Sequence, residues 1–173
     1  MSRTYRLGDS SEYKVELALL ELAEDGSVLL EKGLRILSFE HAKPNSKLDL
    51  RYTDFLVLVE TDEQELVPVP IQVKSSERKR RDFEVRMDMA KTPNIRSVAV
   101  HLGEDVTKVK EKVIQCLKTA VDFFKHGSSY LFDEFWQFVP TDHVFRKKEI
   151  RTRRRRLRRC FERTLNPSKF AFS

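Results

Sequence analysis

The stretch from Asp54 to Lys74 constrains the fold more than any other part of the chain. Asp54-Phe55-Leu56-Val57-Leu58-Val59 and Val67-Pro68-Val69-Pro70-Ile71-Gln72-Val73-Lys74 are apolar runs separated by the acidic turn Thr61-Asp62-Glu63-Gln64-Glu65. Two apolar runs about a polar turn read as an antiparallel hairpin. Such a hairpin brings Asp54, at the start of one strand, beside the end of the other, where the two-residue period puts Gln72 and Lys74 on one face. Neither Pro68 nor Pro70 can donate to a ladder, so those positions belong to a strand entry or an edge.

The flanking segments alternate between helix and strand. Glu12 to Ala23 has helical spacing, with Val15, Leu19 and Leu22 on one face widened by Leu17 and Leu20, so this helix should lie against a sheet. Asp9 or Ser10 is its expected N-cap and Gly26 its expected stop. Glu12 and Glu16 stack one turn apart beside the apolar face, near the helix start. Val28-Leu29-Leu30 and Leu34-Arg35-Ile36-Leu37-Ser38-Phe39 read as strands or a hairpin, and Lys43 to Lys47 as a loop. Glu77 to Ala90 reads as a short helix with Arg78, Lys79, Arg80 and Arg81 exposed, ended by Thr92-Pro93-Asn94. Ile95 to Leu102 is a further strand, and Gly103-Glu104-Asp105 opens a helix reaching about His126. The expected fold is α/β, a mixed central sheet covered by helices on both faces.

Length and charge bound the rest. With 173 residues, 40% of them hydrophobic, the chain suits one core, and no run of 18 apolar residues is present. The N-terminus lacks a signal-peptide-like apolar stretch, so neither secretion nor membrane spanning is expected, and the expected location is the cytoplasm. Cys116 and Cys160 have no C-x-x-C partner, so free thiols are expected rather than a disulfide or a zinc site. The net charge of +6 is uneven: residues 143–173 hold twelve Arg or Lys against Glu149 and Glu162, or +10, leaving −4 for residues 1–142. Residues 1–142 therefore read as the folded domain and 143–173 as a basic tail or helix, attractive to a polyphosphate backbone by counterion release. Tyr130 to Val139, the most aromatic stretch, is expected to close the core, with base stacking as its alternative use.

A carboxylate, an amide oxygen and an ammonium converging at one hairpin end suit a hard cation such as Mg²⁺ and a phosphate ligand. A bound cation would lower the pKa of a water, while Lys74 would orient that water or stabilise charge on phosphoryl oxygens. The succession Gly8-Asp9-Ser10-Ser11-Glu12-Tyr13-Lys14-Val15, Asp54-Phe55-Leu56-Val57 and Pro70-Ile71-Gln72-Val73-Lys74-Ser75-Ser76 resembles the PD-(D/E)XK nuclease superfamily over roughly residues 5 to 102. Its Gln-Val-Lys ending resembles the Gln-x-Lys branch, which includes homing endonucleases and Holliday-junction-resolvase-like proteins.

The resemblance implies a restriction-endonuclease-like fold, here with a basic C-terminal extension, and cleavage of DNA dependent on Mg²⁺, with Mn²⁺ as a substitute. It implies metal ligands at Glu12, Asp54 and Gln72, and a catalytic set of these with Lys74. Glu16 competes with Glu12, and Asp49 less well with Asp54. Gln72 stands where most of the superfamily has an acid, one negative charge fewer at the site. DNA contacts are expected from Lys79, Arg80 and Arg81 and from the tail residues Arg153, Arg154, Arg155 and Arg156. No histidine of the four falls in a metal-ligand spacing. The alternatives to a nuclease are a non-catalytic DNA-binding module and a protein-interaction partner. A homodimer would suit cleavage of both strands.

Overall fold

Because β-branched and aromatic residues dominate both sides of the acidic turn, the hairpin forms as Phe55–Thr61 (β2) and Leu66–Lys74 (β3), paired antiparallel with Phe55 opposite Ile71. The computed structural model describes residues 3–24, 33–91, 94–139 and 155. Leu34–His41 (β1) adds antiparallel to β2, and the short Arg96–Ala99 (β4) adds parallel to β3, giving one mixed sheet in the order β1-β2-β3-β4. Among the described residues three α-helices accompany it: Arg3–Glu24 (α1), Glu77–Met89 (α2) and Val106–Phe123 (α3). α2 carries the crossover between the parallel strands, a connection that parallel pairing requires.

The two-residue period divides the sheet between two apolar layers. Phe55, Val57, Val59, Val69, Ile71 and Val73 meet Val15, Leu19 and Leu22 of α1 and Val109, Val113 and Leu117 of α3. Leu56 faces the other way, against Phe83 and Met87 of α2 and Phe135. Each fully buried side chain of this size contributes about 1.5–3 kcal/mol. The prolines sit where the sequence requires them. β4 reaches only Ile71 to Lys74, so Pro68 and Pro70 lie on the part of β3 that β4 does not border.

Some sequence expectations need correction. α1 begins at Arg3 and runs through Asp9 and Ser10, so neither is its N-cap. Tertiary contacts override the local capping signal. Ser11 Oγ donates to the Val100 carbonyl at 2.9 Å, and Lys14 Nζ donates to the carbonyls of His101, Leu102 and Glu104, tying the helix to the end of β4. The aromatic run forms a 3₁₀ segment, Ser129–Phe138, whose Phe132 and Phe135 are buried while Tyr130 is exposed. The expected strand at 28–30 and stop at Gly26 lie outside the described residues, as does the tail except Arg155, which is exposed. Asp105 caps α3 as expected, accepting the Thr107 N–H at 2.7 Å. Cys116 is a buried free thiol, its pKa pushed up to about 12 by burial. Among the described residues no helix is long and apolar enough to cross a membrane.

Candidate functional site at the end of the hairpin

Asp54 is fixed by its backbone before its side chain acts. Its N–H donates to the Ile71 carbonyl at 2.9 Å, and its own carbonyl accepts the Ala42 N–H at 2.8 Å, so it is stitched to β3 on one side and the end of β1 on the other. The Asp54 carboxylate crosses to β3, where Oδ2 accepts the Val73 N–H at 2.6 Å and a bond from Gln72 Nε2. A carboxylate offers only lone pairs, so the Gln72 NH₂ must face it and the amide oxygen Oε1 turns away. Neither donor engages Asp54 Oδ1.

Gln72 and Lys74 share the face opposite Ile71 and Val73. There the Lys74 ammonium sits 4.7 Å from the centre of the Phe83 ring on α2. Burial lowers the pKa of Lys74, partly opposed by the Asp54 carboxylate; Arg86 and Lys79 add to the lowering and Glu12 opposes it. Burial likewise pushes the Asp54 carboxyl up to about 6, against the Val73 hydrogen bond; the Glu12 carboxylate raises it further, and Lys74 and His41 pull it down. Glu12, Asp54, Lys74 and His41 thus lie within one electrostatic neighbourhood.

His41 is the member that sequence reading missed. Its ring stacks on Phe55, centroids 4.4 Å apart, and its two nitrogens reach both helix acids, Nε2 to Glu12 Oε2 at 3.2 Å and Nδ1 to Glu16 Oε2 at 3.1 Å. Burial disfavours the imidazolium, but the hydrogen bonds and charges of Glu12 and Glu16 outweigh it and raise the pKa to about 9. The register of β1 explains the oversight. A bulge between Ile36 and Ser38 inserts Leu37, so Ile36, Phe39 and His41 pair with Val59, Val57 and Phe55 on one face. A regular period from Leu34 would have put His41 on the opposite face.

The competitors separate clearly. Asp49 accepts the Asn45 N–H at 2.7 Å in an exposed turn, away from this set. Glu12 and Glu16 both reach the histidine, Glu16 being the more buried. Lys79 and Arg81 are exposed on α2, and Lys79 Nζ donates to Ser75 Oγ at 3.1 Å just beyond Lys74. Arg80 departs from the expected DNA face. Its guanidinium is held by Glu77 at 2.8 Å and Glu84 at 2.7 Å on the other flank of the helix. Arg86, unremarked in the sequence, lies near enough to act on Lys74.

Among the described residues no three His, Cys, Asp or Glu side chains are grouped to hold a metal ion. The oxygen donors at the hairpin end are two carboxylates, Glu12 and Asp54, with the outward Oε1 of Gln72. All three are hard ligands of the type Mg²⁺ takes. In chemical type, though not as an assembled group, these oxygens are donors a hard cation takes. Compared with protein-family profiles, curated proteins and solved structures, the chain gives no match.

Proposed function

We propose that the chain is a divalent-metal-dependent deoxyribonuclease, with DNA as substrate and the hairpin end as its active site. The observation that carries this reading is the convergence of Asp54, Gln72 and Lys74 where β2 begins and β3 ends, joined by the Glu12 field from α1. Glu12, Asp54 and Gln72 Oε1 would hold Mg²⁺ or Mn²⁺. When bound, the cation would acidify a coordinated water and polarise the scissile phosphate.

The chain's own residues supply the rest. Val73 N–H and Gln72 Nε2 fix the rotamer of Asp54, so Oδ1 needs no reorganisation to serve as a ligand. Phe83 holds the Lys74 ammonium at the rim, where it orients the attacking water and meets charge developing on phosphoryl oxygens. Lys79 and Arg86, near that ammonium, extend a cationic track for the DNA backbone. The basic segment 143–173 would add non-specific affinity, and a homodimer would allow both strands to be cut.

A second reading is favoured by one observation. His41 already pairs with Glu12, and Asp54 Oδ2 is satisfied within the chain, as a DNA-binding module without turnover would require. The test is incubation of labelled single-stranded, duplex and branched DNA with Mg²⁺. Metal-dependent cutting supports the nuclease; binding without cutting, and without Mg²⁺ affinity, supports the module.

A further inference from the structure

On the flank of α2 away from Lys74, where Arg80 and Glu84 stand one turn apart, a cavity of about 300 Å³ opens between α2, β4 and α3. Its lining includes Arg80, Glu84, Arg96, Lys112 and Gln115. Most of these charges are already matched. Arg80 is paired with Glu77 and Glu84, and Glu84 also accepts from Ser97 Oγ at 2.9 Å. Lys112 is held by Glu104 at 2.7 Å and by the Ala99 carbonyl at 2.8 Å.

Arg96 is the exception. Its Nε is buried and has no hydrogen-bond partner, and its guanidinium lies 4.9 Å from the centre of the Phe123 ring, which fixes its plane. Among the described residues no carboxylate is placed against it. A guanidinium carries donors only, and a buried N–H aimed at no acceptor is uncommon in folded proteins. Arg96 is half-buried, and an acceptor held in the cavity would satisfy its Nε–H.

We propose that this cavity binds the oxyanion group of a small molecule, a phosphate or a carboxylate, with Arg96 as the charged contact. Gln115, exposed at the rim, supplies an amide donor, and Lys112, with two of its three ammonium protons committed, supplies another. The volume lies at the small end of ligand cavities and suits a compact anion. This site is independent of the nuclease reading.

The test follows the arginine Nε–H resonances of the full-length protein, labelled with ¹⁵N-arginine, during titration with inorganic phosphate, acetate or duplex DNA, against sodium chloride at matched ionic strength. The Arg96 resonance is assigned by its loss in Arg96→Gln. We expect it to shift saturably with phosphate or acetate and not with chloride, the responding anion naming the ligand's group. Arg96→Gln should weaken calorimetrically measured binding of that anion about tenfold or more. Should Arg96→Gln fail to fold, Gln115→Glu decides, since it places a carboxylate at the rim on an exposed helical position and should also abolish the shift. A resonance that responds equally to chloride, responds only to duplex DNA, or responds to no anion overturns the proposal, as does unaltered binding in Gln115→Glu.

Discussion

Gln72 donates its side-chain amide to the same Asp54 oxygen that accepts the Val73 N–H at 2.6 Å. That bond gives the glutamine a task an acid could not perform in the metal-free chain: it stabilises the ionised form of a buried carboxylate beside another negative charge, Glu12. Gln72→Glu would set two carboxylates against one another. The Asp54 carboxyl should then titrate above its present value of about 6, and the variant should bind Mg²⁺ more tightly than the native chain. Carboxyl-carbon NMR titration and calorimetry check the two parts. An unchanged titration would mean that the amide does not govern Asp54.

Asp54 itself should cost stability at neutral pH. Its folded pKa is raised from 3.8 to about 6, so between these values the folded state binds the proton more tightly than the unfolded state does. Stability therefore falls as pH rises through that window, by about 2–3 kcal/mol. Asp54→Asn should be more stable than the native metal-free protein at pH 7, with the advantage shrinking toward pH 4. Urea denaturation across that range checks this.

His41 works in the opposite sense. Its pKa is raised from 6.5 to about 9, so its ion pairs with Glu12 and Glu16 stabilise the fold fully below pH 6.5 and are lost as pH rises through 9. Allowing for partial exposure, His41→Gln should destabilise the metal-free protein by about 1–3 kcal/mol at pH 6 and far less at pH 10. Denaturation midpoints at the two pH values give the comparison; equal losses would mean that packing on Phe55 dominates.

Much of this architecture is legible in the sequence, for reasons that differ by element. The hairpin is, because its apolar runs and acidic turn leave no other pairing, and Pro68 and Pro70 mark where β3 lacks a second neighbour. The faces of α1 and α3 follow helical spacing. The start of α1 is not legible, because Ser11 and Lys14 answer to carbonyls near the end of β4, beyond any local signal. His41 is hidden by the bulge at Leu37, which changes phase without a glycine or proline to announce it. Arg80 reads as part of a basic run, although its partners Glu77 and Glu84 stand one helical turn to either side and helical spacing brings all three to one flank.

That difference along α2 yields a salt-dependence test. Lys79→Ala should weaken DNA binding and lower the slope of log K against log salt by about one, whereas Arg80→Ala should leave the slope unchanged. Fluorescence anisotropy at several salt concentrations distinguishes them. A slope unchanged from the native chain in Lys79→Ala would remove Lys79 from the DNA track, and a slope lowered equally in Arg80→Ala would add Arg80 to it.

The aromatic segment should behave as core rather than as a base-stacking platform. Phe135 is fully buried against Leu56, Phe83 and Met87, so Phe135→Ala should cost about 3–5 kcal/mol. Tyr130 is exposed, and Tyr130→Ala should change stability by less than about 0.5 kcal/mol. Thermal or urea denaturation checks both; a small loss for Phe135→Ala would refute the packing assignment.

The most direct test of the central claim is Mg²⁺-dependent cleavage of labelled DNA by the native chain, Asp54→Asn and Lys74→Ala, each shown to be folded. The account predicts cutting by the native protein, abolished by EDTA and reduced at least about a hundredfold in both variants. Native protein that binds DNA and never cuts it, or variants that cut as fast as the native chain, would contradict an active site at the end of the hairpin.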